Sequence, residues 1–155
     1  RPVLVEIQAL VAQSSLATPR RNVVGWDSSR LAMILAVLES RCGIGFGNMD
    51  VYLNIAGGMR ISEPAADLAV AAALVSARED KPLDADTVVF GEISLSGALR
   101  PIAQADNRLK EAKKLGFSAA IAPSRMKLAG ESGMKVQTVD DVGSFIAACF
   151  GEIDA

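Results

Sequence analysis

Apolar residues alternate at the start of the chain, where Val3, Val5, Ile7 and Ala9 interleave with Leu4, Glu6 and Gln8. A period of two puts each set on one side of a pleat, so "VLVEIQALVA" predicts a strand with one face better buried than the other. "SSLATPRRNVVGWD" reads as a loop leading to a second strand near Arg21 to Gly25. The period then changes. Leu31, Ile34, Leu35 and Leu38 recur at helical spacing and predict a helix over "SSRLAMILAVLESRC", capped by Asp27 or Ser28 and ended by Gly43.

"MDVYLNIAGG" is rich in β-formers and predicts a strand stopping at Gly57 and Gly58. "EPAADLAVAAALVSARED" predicts a helix, because Pro64 and the acidic first turn suit an N-terminus, and its alanines allow close packing in the core or between subunits. "DTVVFGEISLSGALRPI" reads as a buried strand, a turn at "LSG" and a short strand, followed by the helix "AQADNRLKEAKKLG", which ends at Gly116. "SAAIAP", a short helix around "SRMKLAG", the strand "KVQTV" and a last helix "DDVGSFIAACF" complete the order. No repeat, low-complexity tract or linker interrupts it. The alternation predicts one mixed α/β domain over residues 1–155.

Composition narrows the function. At 155 residues, half of them hydrophobic, the chain is long enough for one sizeable core. Its longest nearly apolar run, Leu68 to Val75, is too short to cross a bilayer. The opening "RPVLVEIQAL" has no initiator Met and no signal-peptide regions, so it reads as a piece of a longer, cytoplasmic protein. Basic and acidic residues nearly cancel to a net charge of -2, so any polyanion-binding surface must be local. Cys42 and Cys149 form no CxxC pair and read as reduced thiols packed as small hydrophobes. The chain has no histidine, which excludes a Ser-His-Asp triad and a Cys-His pair and leaves only a carboxylate or a lysine as a base.

Few motifs carry chemistry. "GIGFG" at Gly43 to Gly47 follows a helix and precedes a strand, the reverse of the order that aims amides at phosphates, and reads as a cap and turn. No GxxxxGK[ST] motif occurs, so ATP hydrolysis through a P-loop is not expected of this chain. Asp27, Asp50, Asp67, Asp80, Asp84 and Asp86 are scattered among predicted caps and loops, and no metal site is expected. Trp26 lacks aromatic neighbours in sequence and reads as a packing anchor.

"EIQALV", "AGGMRISEPAADLAVAAAL" and "VVFGEISLSGALRPIAQADNRLKEAKKLGF", in that order, resemble the proteolytic domain of the Lon family. The resemblance implies a Lon protease-like, ribosomal protein S5 domain 2-like fold. In that family a serine at a helix start is activated by a lysine, as a weak hydroxyl nucleophile requires. Laid on the family's "GPSAG", the run "EPAAD" puts Ala65 at the serine; laid on "PIGGLK", "PIAQAD" puts Asp106 at the lysine. The resemblance therefore implies a degenerate site with no catalytic residue. Arg108 is no replacement base, because its guanidinium does not deprotonate.

"NIAGGMRISEPAADLAVAAA", with "LVEIQALV", "PRR", "RLAMILAVLE" and "RLKEAKKLGF", is similar more narrowly to the Lon-like C-terminal domains of the bacterial RadA (Sms) family. This resemblance implies a longer protein with a zinc-binding motif and a RecA-like ATPase, using zinc, ATP and magnesium outside this chain. It also implies a six-membered ring, binding to duplex, single-stranded or branched DNA during recombinational repair and branch migration, and work beside a RecA-type recombinase. Arg20 and Arg21, together in a predicted loop, and Arg108, Lys110, Lys113 and Lys114 on one helix are the candidate phosphate contacts. Lys110 and Lys114 share a face by i, i+4 spacing. Two alternatives stand beside this expectation: a peptidase using Ser62 with Lys110, and a pure oligomerisation module.

Overall fold

A computed structural model describes residues 5–56, 64–124, 126 and 133–153. The first sheet is built from β1 (Glu6–Gln13), β2 (Arg21–Val24) and β3 (Met49–Ala56), in the order β1-β3-β2. β1 runs antiparallel to β3 from the Glu6–Ala56 pair to the Gln13–Met49 pair, while β2 runs parallel to β3. The predicted alternation is present: Ile7, Ala9 and Val11 are half-buried, and Glu6, Gln8 and Leu10 are exposed. The strand runs on to Gln13 because β3 supplies a partner along the whole length, which local periodicity cannot reveal.

Helices α1 (Ser28–Cys42), α2 (Asp67–Glu79) and α4 (Val142–Phe150) join this sheet in one large apolar cluster. Leu31, Ile34 and Leu38 of α1 meet Leu68 and Leu74 of α2, Val51 and Leu53 of β3, and Phe145 of α4. α1 covers the predicted residues; Asp27 is its N-cap and bonds the Ser29 N–H at 2.8 Å, and Gly43 closes it in the left-handed conformation at φ 69°. Trp26 is 3% exposed and belongs to this cluster, in keeping with a packing anchor. Cys42 and Cys149 are half-buried free thiols at its edge, and burial pushes both upward in pKa.

The second sheet is wholly parallel, in the order β4 (Thr87–Val89), β7 (Ala119–Pro123), β8 (Lys135–Val139). α3 (Ala105–Lys114) crosses between β4 and β7 and joins a small cluster in which Leu109 packs with Phe90, Ala120 and Ala122. A short hairpin of β5 (Glu92–Ile93) and β6 (Leu99–Arg100) lies between β4 and α3 in the chain. The result is the expected α/β fold. The predicted helix around "SRMKLAG" and the glycine pair after β3 lie outside the described residues, apart from Ser124 and Met126.

Candidate functional site

The start of α2 is where a nucleophile is expected, and two backbone groups there are engaged by Gly91. Pro64–Ala66 form a single 3-10 turn before α2. The Gly91 N–H donates to the Ala65 carbonyl at 2.9 Å, and the Leu68 N–H donates to the Gly91 carbonyl at 3.0 Å. A side chain at Gly91 would meet Pro123 at 3.2 Å and Leu68 at 3.4 Å, so this close approach favours a glycine. Ala65 is 6% exposed. A methyl group there can fill space and cannot attack a carbonyl.

Asp67 corrects the expectation that the acidic residues sit in caps and loops. It is fully buried in the first turn of α2. Arg30 of α1 grips it with two guanidinium nitrogens, Nε to Oδ1 at 2.8 Å and Nη2 to Oδ2, while the Ile93 N–H donates to Oδ2 at 3.0 Å. Burial pushes the carboxyl above its ordinary range, and the bonds from Arg30 and Ile93 pull against that. The same pairing raises Arg30. A carboxylate at a helix N-terminus also satisfies the positive end of the dipole, which an oxyanion-stabilising site would need free. One side chain thus ties α1, α2 and β5 together. Two apolar-patterned helices and an acidic first turn were legible in sequence, but the pairing of Asp67 with Arg30 had no local signal.

The second expected position lies on the helix that packs against the other sheet. Asp106 is half-buried in the first turn of α3. Before it, Gln104 takes a left-handed φ of 59°, a conformation that favours glycine. Gln104 is the residue that aligns with the second glycine of "PIGGLK".

The candidate phosphate contacts separate into two groups, one on α3 and one at the start of β2. On α3, Lys110, Lys113 and Lys114 are exposed as expected, with Lys114 3.9 Å from Glu111 and the Lys113 ammonium packed beside Gly133. Arg108 is half-buried, its Nε donates to the Ala103 carbonyl at 2.9 Å, and burial lowers its pKa. Arg21 is exposed and begins β2, as the predicted strand from Arg21 places it. Its guanidinium donates to the carbonyls of Arg20, Met49 and Phe46, fastening the turn before β3. Arg20 remains exposed beside Tyr52, whose hydrogen bond raises its pKa, and its N–H donates to Asp50 at 2.7 Å. The alternative nucleophile Ser62 lies outside the described residues. No helix among the described residues is long and apolar enough to cross a membrane.

These features sit in a chain that belongs to the family described as subunit ChlI of Mg-chelatase, whose pattern matches residues 12–126. More specific relatives share one name. The DNA repair protein RadA of Brucella abortus (strain 2308) is 71% identical over 124 residues, 80% of this chain and 27% of the relative. RadA of Rickettsia felis (strain ATCC VR-1525 / URRWXCal2) is 51% identical over 146 residues, 94% of this chain and 33% of the relative. RadA of Aquifex aeolicus (strain VF5) is 45% identical over 150 residues, 97% of this chain and 34% of the relative. The chain therefore spans about a third or less of the length of these relatives.

Proposed function

We propose that this chain is a non-catalytic Lon-like domain that scaffolds a hexameric ring and binds DNA within a RadA-type repair protein. The observation that carries the non-catalytic part is the closed start of α2: Ala65 is buried, the Leu68 amide is bonded to Gly91, and a buried carboxylate occupies the positive end of the helix. The left-handed Gln104 supports the resemblance to Lon, because it keeps a glycine-like backbone where the catalytic lysine has become Asp106. Nucleophile and base act as a unit, so losing both removes catalysis. The name shared by relatives from three distinct bacteria supports the repair role.

In this reading Lys110, Lys113 and Lys114 follow phosphates, and a ring multiplies their effect. ATP, magnesium and zinc are handled by the RecA-like and zinc-binding parts of the longer, cytoplasmic protein, and a RecA-type recombinase meets the assembled ring. The test is a salt titration of DNA binding by the 155-residue chain, with its mass measured in the same buffer. The expected result is a ring-sized particle whose DNA affinity falls steeply with salt. A monomer without DNA affinity at low salt overturns the proposal. A ring whose DNA affinity survives Lys110→Glu with Lys114→Glu moves the phosphate contacts elsewhere and favours the oligomerisation module. Labelling by a serine-directed covalent probe restores the peptidase alternative.

A further inference from the structure

Among the described residues the order β1-β3-β2 leaves both outer strands of the first sheet with a partner on one side only. The Ser14 N–H donates to the Asn48 carbonyl at 3.0 Å and the Val51 N–H to the Arg20 carbonyl at 2.9 Å, so the even-numbered residues of β1 and β2 bond to β3. Backbone groups alternate in direction along a strand, and those of Ile7, Ala9, Val11, Arg21 and Val23 therefore point to the open edges. The usual guards are missing. Neither strand carries Pro or Lys, and the Arg21 guanidinium is turned onto the carbonyls of Phe46 and Met49. Burial also falls off toward both edges. On the core face Val51, Leu53 and Ile55 of β3 are 0%, 2% and 3% exposed, while Ile7, Ala9 and Val11 of β1 and Val23 of β2 are only half-buried. On the outer face Leu10, beside Tyr52, is 61% exposed, and Val24, beside Asn54, is 64% exposed.

We propose that β1 of one copy pairs antiparallel with β2 of the next, Leu10 opposite Val24 and Val11 opposite Val23, so that the sheet runs on from copy to copy. The proposal rests on the ring reading and gives that ring its interface. The occupant is a second copy because one kind of contact then completes both edges, where any other strand completes one. The directions agree. β1 and β2 run in opposite senses on either side of β3, so a sheet that continues meets its neighbour antiparallel. The faces agree as well. Opposed residues share a face and bonded pairs recur at every second residue, so the outward groups of Val11 and Val23 bond each other with both side chains toward the core. Leu10 and Val24 then cover one another on the outer face. A register shifted by one residue would join a core face to a solvent face. Because β1 and β2 are different surfaces, the contact is head-to-tail, the kind from which a ring is built.

The test is disulfide trapping in the 155-residue chain with its own thiols replaced, Cys42→Ser and Cys149→Ser. Opposed residues of a non-hydrogen-bonded antiparallel pair lie about 4.5 Å apart at Cα, within reach of a disulfide. Leu10→Cys mixed with Val24→Cys and oxidised with diamide should give a covalent dimer, and each variant alone should give none. The chain carrying both changes should give a ladder of covalent multimers on a non-reducing gel. Val23→Pro removes only an outward N–H, so it should keep the parent's circular dichroism and urea midpoint while its mass in solution falls to that of a monomer. Should Val23→Pro fail to fold, Val24→Glu at an exposed position reads the same contact. Particles of ring mass without mixed trapping, or an unchanged mass in a folded Val23→Pro chain, overturn the edge contact and leave the ring reading standing. Dimers trapped by Leu10→Cys alone or Val24→Cys alone overturn it in favour of a two-fold pairing of like strands. A parent chain that stays monomeric overturns the contact together with the ring.

Discussion

The two apolar clusters of this protein differ greatly in size and in the side chains that build them. The β1-β3-β2 sheet is packed into a continuous cluster with α1, α2 and α4, rich in Leu, Ile, Val and Phe at or near zero exposure. The β4-β7-β8 sheet adds Ile121 and Val139 to that cluster from one face, while its other face rests on Phe90, Leu109 and two alanines, with Ile102, Met126, Met134 and Val136 only partly covered. Small side chains bury little apolar area, and each missing methylene costs stabilisation. The difference teaches where rigidity is concentrated. The closed position at Ala65 hangs from the large core through Leu68 and Asp67, whereas the lysine-bearing helix α3 leans on the small one.

That contrast can be broken or sharpened by substitution. The largest expected effect is Leu38→Ala in the large cluster, where a rigid, fully buried site cannot collapse; urea unfolding should show a loss of about 4 kcal/mol. Asp67→Ala should follow at about 3 kcal/mol, because it leaves the part-buried Arg30 charge and the Ile93 N–H without their acceptor. Leu109→Ala should cost about 2 kcal/mol, near the low end for such a change, since the partly exposed methionines can relax into the space. Amide exchange after Leu109→Ala should accelerate on α3 and leave α1 protected. Equal losses for Leu38→Ala and Leu109→Ala would erase the distinction between the cores.

The smallest effect is a pH slope. Burial places the Asp67 carboxyl above its ordinary value of 3.8, so the folded chain holds that proton more tightly than the unfolded chain does. This contribution is therefore greatest in acid and is lost as pH rises from the ordinary value through the folded one. Asp67→Asn should flatten that part of the stability profile measured by urea unfolding between acid and neutral pH. An unchanged profile would show that Arg30 and the Ile93 amide fully offset the burial.

Much of the architecture was legible because it is local. The helical spacing of Leu31, Ile34 and Leu38, the Asp27 cap and the Gly43 stop need only neighbours a turn away, and α1 follows them residue for residue. The β8 strand, the break at Gly116 and the exposure of Lys110 and Lys114 follow from the same short-range rules. The split into two sheets was not legible, because strand order depends on partners far along the chain.

The sequence by itself determined the mixed α/β class, the absence of histidine chemistry, and the identities Ala65 and Asp106 at the two positions where the Lon resemblance expects a dyad. These are matters of composition, period and residue type. Only the tertiary structure decided that Asp67 is a buried partner of Arg30, that Arg21 fastens a turn, that Arg108 is held by a carbonyl, and that Tyr52 shares a face with Asn22 and Asn54. A charged or polar side chain takes its role from whatever lies within hydrogen-bond reach. That neighbour is chosen by how helices and strands pack, which no local pattern encodes.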